Sequence, residues 1–134
     1  MTTSSTILFV CEHGAAKSII AAAYFNKLAQ EQGLNLQAIA RGTLPDDELS
    51  PGTVQGLMAD GLTSTELSPQ KLQPAEIEAA QRVIAFGDLF NEEDIQGVQI
   101  ENWNEVPPVG KDYQMARDVI LQNLHRLLAE VGNS

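Results

Sequence analysis

Short, continuous apolar runs alternate along the chain with longer segments in which apolar residues recur at helical spacing. Residues 6–10 (TILFV) form the first run, and its β-branched and aromatic residues are typical of a strand covered on both faces. Between residues 18 and 32, apolar residues recur at i, i+4 and i+7 until a glycine ends the pattern, which predicts a helix. The chain therefore begins with a strand that leads into a helix.

The same alternation continues to the end of the chain. Further strands are predicted at residues 36–40, 82–86 and 98–103. Further helices are predicted from Ser50 to about residue 61, over residues 72–80, and over residues 111–131. Pro51 and Pro74 each lie at a helix start, a position that proline favours. Strands that alternate with helices favour a parallel sheet with helices on both faces, so we predict a single α/β domain over residues 1–134.

The amino-acid composition and net charge limit which partners and which cellular compartment are expected for this protein. The chain has 134 residues, of which 43% are hydrophobic and 19% charged, values typical of a globular domain with one core. Its net charge of −10 argues against nucleic acid or an anionic membrane as a partner. The single cysteine excludes an internal disulfide and fits a reducing compartment. The first apolar run is too short for a signal peptide or a membrane span, so we expect a cytoplasmic protein.

That cysteine, Cys11, lies where the first predicted strand meets the first predicted helix. In open α/β sheets, ligands bind beyond the carboxyl ends of the strands. Gly14 permits a tight turn in which successive N–H groups form an anion-binding nest, and the helix adds its own free N–H groups. The side chains of Lys17 and Ser18 add hydrogen-bond donors. The positive electrostatic potential of these groups and of the helix N-terminus also stabilises the thiolate form of Cys11. The pattern indicates an oxyanion site at the Cys11 sulfur, although a buried structural cysteine in an ordinary turn is the alternative.

The segment from Cys11 to Ser18 reads C-E-H-G-A-A-K-S. It resembles the anion-binding loop of the low-molecular-weight protein tyrosine phosphatases, C-x5-R-[ST], and more closely that of the arsenate reductases of the same fold, C-x-H-N-A-G-R-S. The residues that match the reductase form are Cys11, His13, Ala15 and Ser18, and those that depart from it are Gly14, Ala16 and Lys17. Residues 41–72, 102–108 and 115–120 also resemble, in order, stretches of these enzymes, so the resemblance covers nearly the whole chain.

The resemblance implies a three-layer α/β/α fold with a central four-stranded parallel sheet. It also implies that Cys11 attacks a phosphorus or arsenic centre, that Lys17 holds the oxygens, and that Ser18 supports the thiolate. The residues expected to bind the anion are Glu12, His13, Gly14, Ala15, Ala16 and Lys17. The expected partner is a small oxyanion or phosphomonoester: phosphate, arsenate or phosphotyrosine. We expect no resident cofactor. We also expect no metal site, since one cysteine and two distant histidines are poor metal ligands as a set. The expected oligomeric state is a monomer or weak dimer.

Two departures from these enzymes concern the catalytic groups. Lys17 stands where the enzymes have arginine, and it offers a point charge in place of a planar fork, so clamping of the transition state should weaken. The phosphatases place their general acid, an aspartate, before a proline, whereas this loop reads N-W-N-E-V-P-P. Glu105 is the candidate acid there, with a solvated loop glutamate as the alternative. Glu12 and Asp88 are the other candidates for the general acid. Trp103 and Tyr113 could line the mouth of the cleft, with ordinary packing as the alternative.

The absence of a second cysteine from the sequence bears on the choice of reaction. An arsenate reductase of this kind would need an external small thiol, such as glutathione or mycothiol, to resolve the adduct on Cys11. Hydrolysis of a phosphomonoester needs no partner thiol, so the favoured function is a phosphatase of the protein tyrosine phosphatase type. A thiol-coupled arsenate reductase and a catalytically weak oxyanion-binding protein are the two alternatives.

Overall fold

The computed structural model describes residues 5–62, 68–87, 89–90 and 100–132, and it confirms the predicted alternation of strands and helices. The strands are β1 (Ser5–Cys11), β2 (Leu36–Gly42), β3 (Arg82–Ala85) and β4 (Ile100–Asn102). The helices are α1 (Lys17–Glu31), α2 (Pro51–Ala59), α3 (Pro74–Ala79) and α4 (Tyr113–Gly132). The predicted limits differ from these by a few residues. Residues 98 and 99 of the fourth predicted strand lie outside the described ranges.

The four strands form one parallel sheet in the order β2-β1-β3-β4, which confirms the predicted fold class. The chain leaves β1 for β2 on one side and later places β3 on the other side of β1. This change of direction leaves a crevice at the carboxyl end of β1, the place where such sheets bind ligands. Cys11, the last residue of β1, is paired in register with Gly42, the last residue of β2.

Alternate residues of β1 pack into two separate parts of the core. Ile7 and Phe9 face α1, α2 and α4, whereas Leu8 and Val10 face a smaller cluster beside α3. All four are fully buried, and each contributes roughly 1.5–3 kcal/mol by removal from water. Because both faces of β1 are buried, the strand is a continuous apolar run rather than an alternating one.

The aromatic residues beneath the carboxyl end of the sheet form one cluster. The ring centroid of Phe9 lies 6.1 Å from that of Phe25, 6.4 Å from that of Phe86 and 5.7 Å from that of Trp103. Trp103 is 1% exposed and donates its indole N–H to Glu101. Of the two alternatives for Trp103, packing in the core is therefore the one that the structure supports, since its ring follows β4 directly and lies against Phe9.

The last helix covers the same face of the sheet. Its buried stripe recurs at three- and four-residue spacing, as the sequence pattern predicted, and comprises Ala116, Ile120, Leu124, Leu127 and Val131. This stripe packs largely against α1. None of the helices in the described ranges combines the length and apolar character that a bilayer span requires.

Candidate active site

A cleft of about 330 Å³ opens at the carboxyl end of β1, above Cys11. Its lining residues are Cys11, Glu12, His13, Ala15, Ala16, Lys17, Asp46, Ser50 and Phe86. The structure thus brings together most of the loop residues that the sequence indicated. It adds Asp46 and Ser50 from the segment after β2 and Phe86 from the end of β3, none of which the sequence analysis singled out. The Cys11 side chain is nearly buried at the base of this cleft, with 8% of the residue exposed.

The backbone of the loop points its carbonyls away from the cleft. Four of them accept hydrogen bonds at 2.7–3.3 Å from the segment that follows β2. The acceptors are Cys11, Glu12, His13 and Ala15, and the donors are the N–H groups of Thr43, Leu44, Asp46 and Ser50, respectively. By contrast, the N–H groups of residues 12–18 donate to no other residue within the described ranges. This pattern of occupied carbonyls and free N–H groups at the start of α1 is that of an anion-binding nest.

Two glycines allow the loop to lie close to β2. Gly14 has a φ of +60°, the left-handed conformation that most side chains resist. A Cβ on Gly42 would lie 2.7 Å from the Gly14 nitrogen, and a Cβ on Gly14 would lie 2.9 Å from the Gly42 nitrogen. The backbone of Gly42 is also held on its far side by residues 70 and 72 through hydrogen bonds of 2.8 and 2.9 Å. Gly42 therefore cannot move aside, and no side chain fits between the two strands of backbone.

The hydroxyl of Ser18 lies within hydrogen-bond distance of the cysteine sulfur. Its Oγ lies 2.9 Å from the Sγ of Cys11, and Ser18 is fully buried. When Cys11 is a thiolate it has no proton to give, so the hydroxyl donates. The structure therefore places Ser18 where the sequence analysis expected it.

Lys17 is the first residue of α1 and lies on the wall of the same cleft. It is half-buried, and within the described ranges its ammonium group makes no ion pair or hydrogen bond. A cation with no carboxylate partner beside free N–H groups can serve an incoming anion. Because lysine is a point charge on a flexible stem, it can reach the oxygens of that anion without the two-point geometry of arginine.

The rim of the cleft carries an imidazole and two carboxylates, all exposed. The Nδ1 atom of His13 lies 3.2 Å from the Oδ1 of Asp46, and the Nε2 of His13 lies 4.0 Å from the Oε2 of Glu12. The N–H of Asp46 also donates to the carbonyl of His13. Among the described residues, no group of three such side chains has the arrangement of metal ligands.

Glu105 is not brought to this cleft. It is exposed in the loop after β4, and its Oε1 accepts a hydrogen bond of 2.7 Å from the Nδ2 of Asn123 on α4. It is not among the residues that line the Cys11 cleft, and its role as the general acid stays a prediction. Glu12 does line the cleft, whereas Asp88 lies outside the described residues.

A second cleft, of about 620 Å³, runs between α2 and the start of α4 and shares Ser50 with the first. Tyr113 lies here, so it borders this neighbouring cleft rather than the mouth above Cys11. A Cβ on Gly56 would lie 2.3 Å from the Tyr113 ring, so the ring packs directly on the α2 backbone. The aromatic side chain fixes the distance between the two helices that follow the site.

Asp60, just after α2, accepts hydrogen bonds from three side chains on the other helices. The donors are the hydroxyls of Tyr24 and Tyr113, the latter at 3.1 Å, and the guanidinium of Arg117, which lies 3.0 Å from Oδ1. Burial alone would raise the pKa of Asp60, but these hydrogen bonds outweigh it and lower the pKa below its usual value. Burial and the nearby carboxylate raise the pKa of Tyr24 to about 12. The cluster joins α1, α2 and α4 outside the cysteine cleft.

The fold and this cleft define a cysteine-dependent enzyme that acts on an oxyanion centre. A family model described as low molecular weight phosphotyrosine protein phosphatase matches residues 6–106, and the chain belongs to that family. The match begins in β1, covers the whole anion-binding loop, and ends in the loop that contains Glu105.

Relatives of this chain include phosphatases and arsenate reductases. A Halobacterium salinarum protein named "Putative arsenate reductase" is 23% identical over 113 residues, which is 83% of this chain and 80% of that protein. YfkJ from Bacillus subtilis, whose crystal structure is known, has 19% sequence identity to this chain. The two structures superpose with a TM-score of 0.82 over 98% of this chain and 97% of YfkJ. The thioredoxin-dependent arsenate reductase of Corynebacterium glutamicum is 21% identical, with a TM-score of 0.76 over 98% of this chain and 63% of that chain. The protein is thus an enzyme of the phosphatase or arsenate reductase type.

Proposed function

We propose that this protein hydrolyses phosphomonoesters and that Cys11 is its nucleophile. The observation that carries the proposal is the 2.9 Å contact between the buried Ser18 hydroxyl and the Cys11 sulfur at the base of an anion-binding nest. A buried hydroxyl that donates to the sulfur stabilises the thiolate, which is the reactive form of cysteine. The free N–H groups of residues 12–18 would surround the phosphoryl oxygens in line with that sulfur.

The reaction proceeds in two displacements. In the first, the Cys11 thiolate attacks phosphorus, a sulfur–phosphorus bond forms, and the bond to the leaving oxygen breaks. In the second, water attacks phosphorus, the sulfur–phosphorus bond breaks, and inorganic phosphate and the thiolate are released. The loop N–H groups and the Lys17 ammonium hold the equatorial oxygens, on which negative charge is spread in the transition state.

Hydrolysis suits a chain with one cysteine. Water alone completes the cycle, and no cofactor is required. The thiol must stay reduced, so the proposal places the protein in a reducing compartment such as the cytoplasm. The proposed substrates are aryl phosphates, phosphotyrosine among them, because the phosphoryl group fits the nest and the leaving group faces the open rim.

Reduction of arsenate is the second candidate, favoured by the reductase-like loop at residues 11–18 and by the Halobacterium relative. Arsenate would form an adduct on Cys11 with loss of hydroxide, and an external thiol such as glutathione or mycothiol would attack the adduct sulfur, so that the sulfur–arsenic bond breaks, arsenite leaves and Cys11 is left in a mixed disulfide. A second molecule of the thiol would then release Cys11 as the thiol and leave as the external disulfide. The chain lacks a second cysteine to resolve the adduct internally. Binding of an oxyanion without turnover is the third candidate, and it would follow if Lys17 stabilises the ground state and the transition state equally.

The experiment compares the wild-type protein with the variant Cys11→Ser. Turnover of p-nitrophenyl phosphate is measured between pH 5 and 8, and arsenite release from arsenate is measured with and without glutathione or mycothiol. The phosphatase proposal predicts phosphate release by the wild type that the variant loses. Arsenite release that requires the thiol, without phosphate ester turnover, would establish the reductase instead. Phosphate binding without either reaction would establish the binding protein.

A further inference from the structure

We propose that His13 donates the proton to the leaving group and that Asp46 positions the His13 ring. This inference deepens the phosphatase function proposed above and rests on it. It assigns the acid–base role to the rim of the Cys11 cleft, where both residues lie, rather than to the loop of Glu105. His13 would touch the leaving oxygen, whereas Asp46 acts through His13.

Two contacts join these residues at the same time. The Asp46 carboxylate faces Nδ1 of the His13 ring at 3.2 Å, and the Asp46 N–H donates to the His13 carbonyl at 2.9 Å. The backbone hydrogen bond holds the two residues side by side, and the two side chains, both more than half exposed, lie within ion-pair distance. A carboxylate at Nδ1 selects the tautomer with its proton there, which directs Nε2 to proton exchange on the opposite edge of the ring.

Charged groups surround the His13 ring at the rim of the cleft. The titratable and charged groups facing His13 are Glu12, Asp46, Lys17 and the thiol of Cys11. Two of these are carboxylates, and the incoming phosphoryl group is also anionic. The proposed proton donor thus lies beside two carboxylates, at the rim that the leaving group faces.

His13 gives up a proton in the first displacement and recovers one in the second, so the reaction balances without another proton donor. In the first displacement, Nε2 gives its proton to the leaving oxygen as the phosphorus–oxygen bond breaks, and His13 becomes neutral. In the second, neutral His13 takes a proton from the attacking water as the sulfur–phosphorus bond breaks, and the imidazolium is restored. Asp46 stays ionised throughout and stabilises the imidazolium. No further reactant is required.

Glu105 is less suited to this role because its carboxylate is engaged with Asn123 on α4. The local sequence does not single out Asp46, since it lies in the segment after β2 and meets His13 only through the pairing of β1 with β2. For His13, the sequence suggests a role in tuning the thiolate or orienting the loop, with a hydrogen bond that stabilises the loop as the alternative.

The test uses leaving groups that differ in their need for a proton. p-Nitrophenolate leaves readily as an anion, whereas phenolate and alkoxide leave better when protonated. We compare kcat/KM, which reports the first displacement alone, because hydrolysis of the phosphocysteine is the same for every substrate. We expect His13→Gln to lower kcat/KM for phenyl phosphate by about 100-fold, within the usual contribution of a general acid, and that for p-nitrophenyl phosphate by less than tenfold.

The matched control is His125→Gln, because His125 is exposed on α4, far along the chain from the loop. It should match the wild type with both substrates. Asp46→Asn should show the same dependence on leaving group as His13→Gln, with a smaller loss. Equal losses on both substrates in His13→Gln, or the selective loss appearing in Glu105→Gln instead, would overturn the assignment while leaving the phosphatase intact. Absence of turnover by the wild type would overturn the phosphatase function and this assignment together.

Discussion

Gly14 in the anion-binding loop and Gly42 at the end of β2 are in direct backbone contact. A Cβ on Gly42 would lie 2.7 Å from the Gly14 nitrogen, closer than real Cβ contacts allow. The same strand register that pairs Cys11 with Gly42 therefore also sets the position of the loop. The shape of the nest depends on a residue 31 positions away from Cys11, at the end of a neighbouring strand.

The first prediction concerns this contact. Gly42→Ala should force the loop away from β2, because Gly42 is held by hydrogen bonds to residues 70 and 72 and cannot yield. Overpacking of this kind costs about 1–3 kcal/mol, so we expect the affinity for inorganic phosphate to fall by about 5- to 150-fold if the loop takes up the whole strain. Titration calorimetry measures the affinity, and circular dichroism verifies the fold. Gly110→Ala is the matched control, since a Cβ there meets nothing within 4 Å. Equal affinities in both variants would contradict the prediction.

The second prediction concerns the hydroxyl beside the sulfur. Ser18→Ala removes the donor that lies 2.9 Å from Cys11. Hydrogen bonds to charged groups contribute about 1.5–3 kcal/mol, so kcat/KM for p-nitrophenyl phosphate should fall by about 10- to 100-fold. Steady-state kinetics at constant pH measures this loss. Unchanged kcat/KM would show that Ser18 is only a packing residue.

Thr53 supplies a control for the Ser18 variant, because it is another fully buried hydroxyl. Within the described ranges, its Oγ1 has no hydrogen-bond partner. Thr53→Val keeps the shape and removes a desolvated polar group, so the free energy of unfolding should rise by about 1 kcal/mol. Turnover should stay at the wild-type value. Chemical denaturation and kinetics on the same preparation separate the two effects.

The third prediction concerns the cation of the cleft. Lys17→Met removes a donor aimed at the bound oxygens, and the loss of one preorganised donor lowers turnover by about 100- to 1,000-fold. Lys17→Arg should raise kcat, because the guanidinium fork can hold two oxygens of the transition state. Both are measured with p-nitrophenyl phosphate. Wild-type turnover in Lys17→Met would remove Lys17 from the mechanism.

How much of this site the sequence could predict depends on distance along the chain. The loop from Cys11 to Ser18 is one continuous segment, so its chemical role can be inferred from those eight residues alone. Gly42 and Asp46 join it only through the β1–β2 register, a tertiary property. The rule that ends of adjacent parallel strands meet could have identified the segment after Gly42 as part of the site. It could not have shown which side chain of that segment meets His13.

The fold itself was predictable because its signals are local. Apolar runs and helical spacing mark each element, and the buried stripe of α4 follows directly from its periodicity. The sequence leaves Trp103 between the cleft mouth and the core, because a position near a predicted loop does not reveal the direction of a ring. Its core position follows from contact with Phe9 and Phe86, two residues on other strands or strand ends.

The fourth prediction concerns the stability of the fold in acid. Because the pKa of Asp60 is lower in the folded protein, its carboxylate contributes stability that is present above the unfolded-state pKa, near 4. That contribution is lost as the pH falls through the folded-state pKa. Asp60→Asn should be less stable than the wild type by about 2 kcal/mol at pH 7. The two free energies of unfolding should converge below about pH 4, and a constant difference down to pH 2 would contradict the prediction.

The fifth prediction concerns the alkaline side of the same cluster. The pKa of Tyr24 is raised to about 12, so its protonated hydroxyl contributes stability that is fully present below its ordinary pKa of 10.0. That stability is lost as the pH rises from this value toward the folded-state pKa. Tyr24→Phe should therefore lose less stability than the wild type over this range. Urea denaturation at several pH values measures both, and parallel curves would exclude the effect.

The most direct test of the central claim is to trap the covalent intermediate on Cys11. The wild-type protein is mixed with p-nitrophenyl phosphate, quenched in acid within the first turnover, and digested for mass spectrometry. The mechanism predicts one phosphoryl group on the peptide that contains Cys11, and none on that peptide in Cys11→Ala, which should also lack turnover. Steady turnover with no adduct on Cys11, or turnover retained in Cys11→Ala, would contradict the assignment of Cys11 as the nucleophile.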